Sequence, residues 1–243
     1  MPWKKLSDFP EQKVIGVYAI EFWAIRDGKV WHQGRKLRAA DAASFEIYLD
    51  EHLENSLFIA RDASSIYHAW TRMSEIDRNS FARRDQYWVD QHQVYLEHET
   101  SLKAVQNADP QSFRDLGHGY AADQNAAWYW GRLMKTCTHS QRLEVFTDNT
   151  LYASDEEQIY CDGKALQRVT AHSWRMLSAH FSTDDVHIYY LERKLPRVDI
   201  ASWTHLDGPW SKDKQHVFYM NKIQKEYSAI TFDLAALQQI QQP

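Results

Sequence analysis

The chain has few of the residues that mark specialised folds. Its 243 residues include two cysteines, eight glycines and six prolines, too few for a disulfide framework, a collagen-like chain or a low-complexity tail. No apolar run approaches the roughly 18 residues that a membrane helix needs. The amino-terminal segment also lacks the apolar core of a secretion signal. The sequence therefore predicts a cytoplasmic protein with no membrane segment, in which Cys137 and Cys161 stay reduced.

Catalytic and metal-binding motifs are also missing. The chain contains no GxSxG, no phosphate-binding loop, no dinucleotide-binding glycine string and no HExxH, and its twelve histidines lack zinc-type spacing. We predict no enzymatic activity, no cofactor and no metal. A hydrolase with dispersed site residues stays open as an alternative. It would require histidine and carboxylate groups within hydrogen-bond reach in a concave site.

The net charge of the chain indicates which class of partner it binds. The formal net charge is −5, whereas nucleic-acid binding draws on a basic face, so no nucleic-acid partner is expected. An acidic balance is compatible with a basic protein partner, which electrostatic steering would attract.

What the sequence does have is a repeating aromatic frame. Ten Trp, thirteen Tyr and ten Phe accompany an aspartate that recurs at intervals of 28 to 35 residues. These anchor aspartates are Asp27, Asp62, Asp90, Asp123, Asp155, Asp184 and Asp213. One aromatic precedes each anchor by three or four residues, and another follows it by four or five. A third mark farther downstream ends on Phe45, Phe81, Phe113, Leu143, Trp174, Trp203 and Phe232. Three aligned marks in seven copies indicate one repeat array.

Each copy predicts a β-hairpin. The aspartate can accept a backbone N–H two residues on, which sets a turn without a positive φ, and the Val, Ile and aromatic residues that follow suit a half-buried strand. Second turns are predicted at Gln33-Gly34, Trp130-Gly131, Asp162-Gly163, Glu192-Arg193 and Asn221-Lys222. The segment 108–116 predicts a helical turn with Asp109 as N-cap and Pro110 at its first position. Its aromatic would close the seam between neighbouring units.

The predicted fold class is mainly β. Seven repeats of two or three short strands, with short helical turns, would form a single domain over residues 1–243. An isolated hairpin is marginal in water, so the units must stack as a solenoid or close into a propeller-like ring. Residues 1–20 are the expected N-terminal cap, 21–233 the repeats and 234–243 the C-terminal cap, with Leu234, Leu237 and Ile240 at helical spacing.

The string "KDKQHVFY" at 212–219 closely resembles the signature of the DKNYY repeat family of little-characterised bacterial proteins, and "ADPQSF" at 108–113 resembles that family's second mark. The resemblance extends over about residues 20–235. The first, second and fourth copies depart from it, through the shorter turn at Asp27, the small residues after Asp62, and Ala127 in place of Val or Ile. It implies a repeat scaffold acting as an interaction module. By analogy of organisation, such proteins resemble the small immunity proteins that neutralise secreted antibacterial toxins.

Function is expected where the repeat is broken. Longer connections at 49–55, 98–107 and 133–149 either decorate a binding face or are tolerated slack, and tryptophans outside the frame are natural interface anchors. The candidate partner-binding residues are Asp50, Glu51, Glu54, Trp70, Trp88, Trp130, Glu97 and Glu99. The first hypothesis is an immunity protein that binds a basic secreted toxin, such as a nuclease. The second is a module that binds glycans or cell-surface material through exposed aromatics.

Overall fold

The computed structural model describes residues 2–16, 20–49, 57–98 and 101–236. The protein is mainly β, with seven small antiparallel sheets of four or five strands. Each sheet contains one of the seven anchor aspartates, placed at the bend between two of its inner strands. The predicted repeats are therefore confirmed as structural units. The chain divides into two compact units, residues 1–115 and 116–243.

The first unit contains sheets 1 to 3. Sheet 1 consists of β2 (Lys13–Ile15), β3 (Glu21–Arg26), β4 (Lys29–His32) and β5 (Arg35–Lys36). Sheet 2 consists of β1 (Trp3–Lys5), β6 (Glu46–Tyr48), β7 (Ile59–Arg61), β8 (Ile66–His68) and β9 (Thr71–Met73). Sheet 3 consists of β10 (Ala82–Arg84), β11 (Tyr87–Val89), β12 (Val94–His98) and β13 (Ser101–Ala104). Short 3-10 helices occupy Leu6–Asp8 and Pro10–Gln12. The segment expected to be an N-terminal cap thus supplies strands to the first two sheets.

The second unit contains sheets 4 to 7. The first strand of sheet 4 begins in the last two residues of the first unit. Sheet 4 consists of β14 (Arg114–Gly117), β15 (Tyr120–Ala122), β16 (Ala127–Tyr129) and β17 (Arg132–Leu133). Sheet 5 consists of β18 (Glu144–Val145), β19 (Tyr152–Ser154), β20 (Ile159–Cys161) and β21 (Lys164–Ala165). Sheet 6 consists of β22 (Arg175–Met176), β23 (Phe181–Thr183), β24 (Ile188–Tyr190) and β25 (Arg193–Lys194). Sheet 7 consists of β26 (Thr204–Asp207), β27 (Trp210–Lys212), β28 (Val217–Tyr219) and β29 (Lys222–Ile223).

Short helical segments link the sheets of the second unit. The 3-10 helices are Ser140–Arg142, Ala171–Ser173 and Ile200–Ser202, and residues 234–236 are α-helical. The predicted turn at Asp109 forms as a single α-type turn, closed by a 3.0 Å bond from Phe113 N to Asp109 O. Of the expected helical cap residues, Leu237 and Ile240 lie outside the described residues. No helix in the described part of the chain is long and apolar enough to cross a bilayer.

Each repeat has four meander strands, one or two more than predicted. The missed strand is the first, which follows the third aromatic mark, as β22 follows Trp174. Such strands have as few as two residues, as in Arg175–Met176. They carry no strand pattern of their own and form because the adjacent hairpin supplies hydrogen-bond partners.

The second turns also differ in part from prediction. Gln33-Gly34, Trp130-Gly131 and Asp162-Gly163 form with positive φ at both positions, as predicted. In sheets 6 and 7 the turns lie one residue earlier, at Leu191-Glu192 and Met220-Asn221. The bend aspartate fixes the register of the hairpin, and the turn forms where that register ends, although leucine and methionine are poor turn residues.

The third aromatic mark of the first copy fills the seam between the first two repeats, as predicted. The Phe45 ring lies 5.3 Å from Trp23 of sheet 1 and 5.6 Å from Tyr67 of sheet 2, so it contacts both repeats. Leu143 occupies the same place in the fourth copy and is fully buried. Because an isolated hairpin is marginal in water, such buried contacts between neighbouring repeats stabilise each unit.

His32 gives the first unit a specific acid lability. Its imidazole is fully buried, 4.3 Å from the Trp23 ring, and this burial lowers the pKa of His32 to about 4. The unfolded chain binds a proton on this histidine below about pH 6.5, whereas the folded chain does not until about pH 4. Stability from this group is therefore complete above pH 6.5 and is lost as the pH falls towards 4.

Replacing His32 with phenylalanine should remove much of this pH dependence. We expect urea unfolding at pH 7 and pH 4.5 to show that the wild type loses on the order of 2 kcal/mol more than His32→Phe between the two conditions. Burial lowers the pKa of His68 as well, so a residual slope is expected. The exposed His118, replaced with asparagine, is the control, and equal slopes in all three proteins would contradict the assignment.

Candidate protein-binding surface

The bends of sheets 2 to 7 share one hydrogen-bond geometry. In every case Oδ1 of the aspartate accepts the backbone N–H groups two and three residues later, at 2.6 to 3.3 Å. The six carboxylates are fully or almost fully buried: Asp62, Asp90, Asp123, Asp155, Asp184 and Asp213. Their predicted role in setting the turn is confirmed. Asp27 differs, since it lies at φ 49° in a two-residue turn with Gly28.

The second carboxylate oxygen has a role that the sequence analysis missed. In four repeats a tyrosine five residues later donates its hydroxyl to Oδ2, as Tyr67 does to Asp62 at 2.8 Å. Oδ2 of Asp62 also accepts the backbone N–H of Asp41 at 3.1 Å, and Asp213 accepts that of Asp199 at 2.8 Å. In sheets 2, 3, 6 and 7 the aspartate thus ties the connection entering the sheet to the hairpin. The D-x-x-x-x-Y spacing was the available signal.

Hydrogen bonds keep the Asp62 carboxylate charged despite its burial. Burial opposes ionisation of Asp62, but hydrogen bonds from Asp41, Ser64 and Tyr67 outweigh it and lower its pKa. The balance is the same at Asp184. The bend carboxylates therefore serve structure. Within the described residues, no group of three or more histidine, cysteine or acidic side chains is arranged to hold a metal ion.

In each unit, the opposite ends of the strands form a second edge, which we call the turn edge. It consists of the described residues that connect the first strand to the second and the third strand to the fourth in each meander. In the second unit this edge exposes large apolar side chains: Trp130, Leu151, Leu177, Tyr219 and Met220. The Trp130 side chain is the most open of these, with 51% of its surface exposed.

The turn edge is continuous across sheets 4, 5 and 6. The Tyr129 hydroxyl donates to Oδ1 of Asp162 at 2.8 Å, which joins the turns of sheets 4 and 5. Lys164 Nζ lies 3.2 Å from Glu192 Oε1, which joins those of sheets 5 and 6. Exposed side chains on neighbouring turns therefore belong to one surface.

The bend edge of the second unit has a different character. Its exposed side chains form ion pairs, among them Arg142 with Glu156 at 3.1 Å and Lys214 with Asp199 at 2.7 Å. Val186, which is 61% exposed, is the apolar exception. Exposed ion pairs of this kind are well solvated and contribute little to stability or binding.

The structure distributes the predicted partner-binding residues unevenly. Trp130 lies on the turn edge of the second unit and Trp70 on that of the first, and both side chains are exposed. Trp88 is fully buried: its ring stacks on Phe81 with centroids 4.9 Å apart, and its indole N–H donates to Glu97 Oε2 at 2.8 Å. Trp88 is therefore a core residue, and the prediction of an anchor there is wrong. Four predicted residues lie outside the described residues: Asp50, Glu51, Glu54 and Glu99.

A known family of repeat sequences matches the part of the chain that contains these repeats. A model described as the DKNYY family matches residues 58–193 and, in an overlapping match, residues 87–222. The chain belongs to the DKNYY family. Each match begins at the aromatic before a bend, Phe58 or Tyr87, and ends at the first residue of a fourth strand, Arg193 or Lys222. The DKNYY repeats of this chain are thus the four-stranded meanders. No curated protein and no solved structure matches the chain.

Proposed function

We propose that this DKNYY protein is a non-enzymatic, protein-binding repeat protein. In its most specific form it is an immunity protein that binds and neutralises a cognate bacterial toxin. The observation that carries the proposal is the set of exposed apolar side chains on the turn edge of the second unit, with Trp130 the largest. Several exposed large apolar side chains along one edge are typical of interaction sites, and tryptophan is enriched among interface hot spots.

The backbone at these turns supports a functional role for the side chains. Trp130 and Met220 occupy φ 48° and φ 55°, a region that disfavours bulky residues and favours glycine or asparagine. Placing tryptophan and methionine there costs stability. Binding through their side chains is a physical reason for that cost.

The proposed partner is a basic protein. The net charge of −5 would speed its association at low salt. The proposal includes the stacked repeat array, open or closed, and a cytoplasmic location, where an immunity protein meets an incoming toxin.

Substitution at the turn edge should weaken toxin binding. The probe is the toxin domain encoded beside the gene for this chain, in a catalytically inactive form, with binding measured by calorimetry. We expect the double variant Trp130→Asn with Met220→Asn to bind about 30-fold more weakly, a loss of about 2 kcal/mol. Asparagine tolerates the positive φ of both turns, so the fold should be retained.

The matched control is Val186→Asn, which removes an exposed apolar side chain from the bend edge. It should bind like the wild type, and co-expression of the wild type with the active toxin should restore growth. Absence of a neighbouring toxin gene, or failure to form a complex with its product, would reject the immunity function. Equal binding by the control and the double variant would reject the turn edge as the binding surface.

A further inference from the structure

A basic groove lies in the first unit, between the outer strands of sheets 1 and 2. Its volume is about 680 Å³, and it is lined by Arg35, Lys36, Arg38, Trp70 and Arg72. Four of these five residues are cationic and none is acidic. Such a concentration of positive charge contrasts with the net charge of −5 of the whole chain.

Across the described residues, no carboxylate lies within the 4.0 Å of an ion pair from any of the four cations. The Nε of Arg72 donates to Ser65 Oγ at 2.8 Å, which orients its guanidinium group. The Arg35 guanidinium lies 4.9 Å from the centre of the Trp70 ring, and the Trp70 side chain is 44% exposed.

The outer strands of sheets 5 and 6 in the second unit also begin with a cation, but there each cation lies beside a carboxylate. Lys164 and Arg193 begin the outer strands of sheets 5 and 6, and Glu192 lies 3.2 Å and 3.4 Å from them. Lysine and arginine on an outer strand prevent pairing with other sheets, which accounts for a cation at this position. It does not account for a groove with four cations around an exposed tryptophan.

We propose that this groove binds an acidic segment of a partner protein. Arginine binds carboxylates through paired, parallel hydrogen bonds, and β5 and β9, the outer strands of sheets 1 and 2, carry three of the four cations. Carboxylates spaced along that segment meet Arg35, Lys36 and Arg72, while an apolar side chain between them packs on Trp70. The groove spans two repeats only, and the chain is acidic overall, so a short acidic peptide fits better than a long nucleic acid.

This site is independent of the proposed function. It lies in the first unit, whereas the proposed toxin-binding edge lies in the second. Its charge also selects the opposite kind of ligand. Either proposal can fail without the other.

The test uses the full chain and a fluorescein-labelled peptide of about eight residues that alternates glutamate pairs with leucine. Fluorescence anisotropy should show binding that weakens at least tenfold in about 0.5 M NaCl. The same peptide with glutamine for glutamate should bind at least tenfold more weakly. Arg35→Glu with Arg72→Glu should reduce affinity at least 30-fold. Arg35→Gln with Lys36→Gln, which breaks no hydrogen bond of Arg72, should reduce it about tenfold.

The matched control is Arg132→Glu with Lys222→Glu, an identical charge change on exposed outer-strand residues of the second unit. It should bind the glutamate peptide like the wild type. An equal loss in the control, or no loss in either groove variant, would overturn the proposal. So would tighter, groove-dependent binding of an oligothymidylate of about ten nucleotides, since the ligand would then be a nucleic acid.

Discussion

Replacing Asp62 with alanine is expected to lower the free energy of unfolding by about 4 to 5 kcal/mol. The substitution removes the acceptor for three backbone N–H groups, those of Asp41, Ser64 and Ser65, and for the buried Tyr67 hydroxyl. Each donor left without a partner costs about 1 to 3 kcal/mol. Water that reaches some of these donors keeps the total loss of stability below the sum of the separate costs. Urea unfolding followed by far-UV circular dichroism measures the loss.

Asparagine variants separate the effect of the carboxylate group from the effect of the side chain's shape. Asp62→Asn keeps one acceptor oxygen for the turn but points an amide N–H₂ at Asp41 N–H, so a loss of about 2 to 3 kcal/mol is expected. Asp27→Asn is the matched control. Asp27 is exposed in a two-residue turn with positive φ, where asparagine is well tolerated, so its change should stay within about 0.5 kcal/mol. Similar losses at Asp62 and Asp27 would contradict the anchoring role.

Replacing Gly163 with alanine should cost about 3 to 4 kcal/mol. A Cβ at this position would lie 2.3 Å from Cβ and 2.6 Å from Cγ of Tyr129, and φ is +71°. Tyr129 cannot move away easily, because its hydroxyl donates to Asp162 at 2.8 Å. The clash would therefore loosen the contact between sheets 4 and 5. Thermal and urea unfolding measure the effect.

Gly34 provides the matched control for Gly163. It occupies the same position of the same kind of turn, at φ +76°, and a Cβ added there would meet no atom within 4 Å, so Gly34→Ala should cost only about 1 kcal/mol. A second readout is the titration of Tyr129. Burial and the bond to Asp162 raise its pKa to about 12, and displacement of the ring in Gly163→Ala should move that value down towards 10. Equal costs for the two alanine variants would contradict the prediction, because the Tyr129 ring would then move away from the added methyl group at little cost.

The repeats could be predicted from sequence because the bend is a local device. An aspartate that accepts the backbone N–H groups two and three residues later needs no distant partner. Its spacing from the aromatic residues can therefore be recognised in the sequence. The helical turn at Asp109 was predictable for the same reason. The first strand of each meander was not, because Arg175–Met176 becomes a strand only through the hairpin beside it.

Exposure was harder to predict than position. Trp88 follows the frame aromatic Tyr87, and strand alternation places the two rings on opposite faces. Both are fully buried, because sheet 3 is covered on both of its faces, and alternation then says nothing about exposure. Leu151 and Leu177 escaped notice because single leucines in a connection carry no pattern. Met220 was missed because the turn was predicted one residue later, at Asn221-Lys222.

Amide hydrogen exchange of the native protein tests the shared bend most directly. The amide three residues after each anchor in sheets 2 to 7 is bonded to a buried carboxylate: Ser65, Gln93, Ala126, Gln158, His187 and His216. If these repeats are copies of one module, all six amides should exchange slowly, at rates near that of the most protected strand amides. Rapid exchange at some of these six amides, with slow exchange in the strands beside them, would contradict a common structural role for the aspartates.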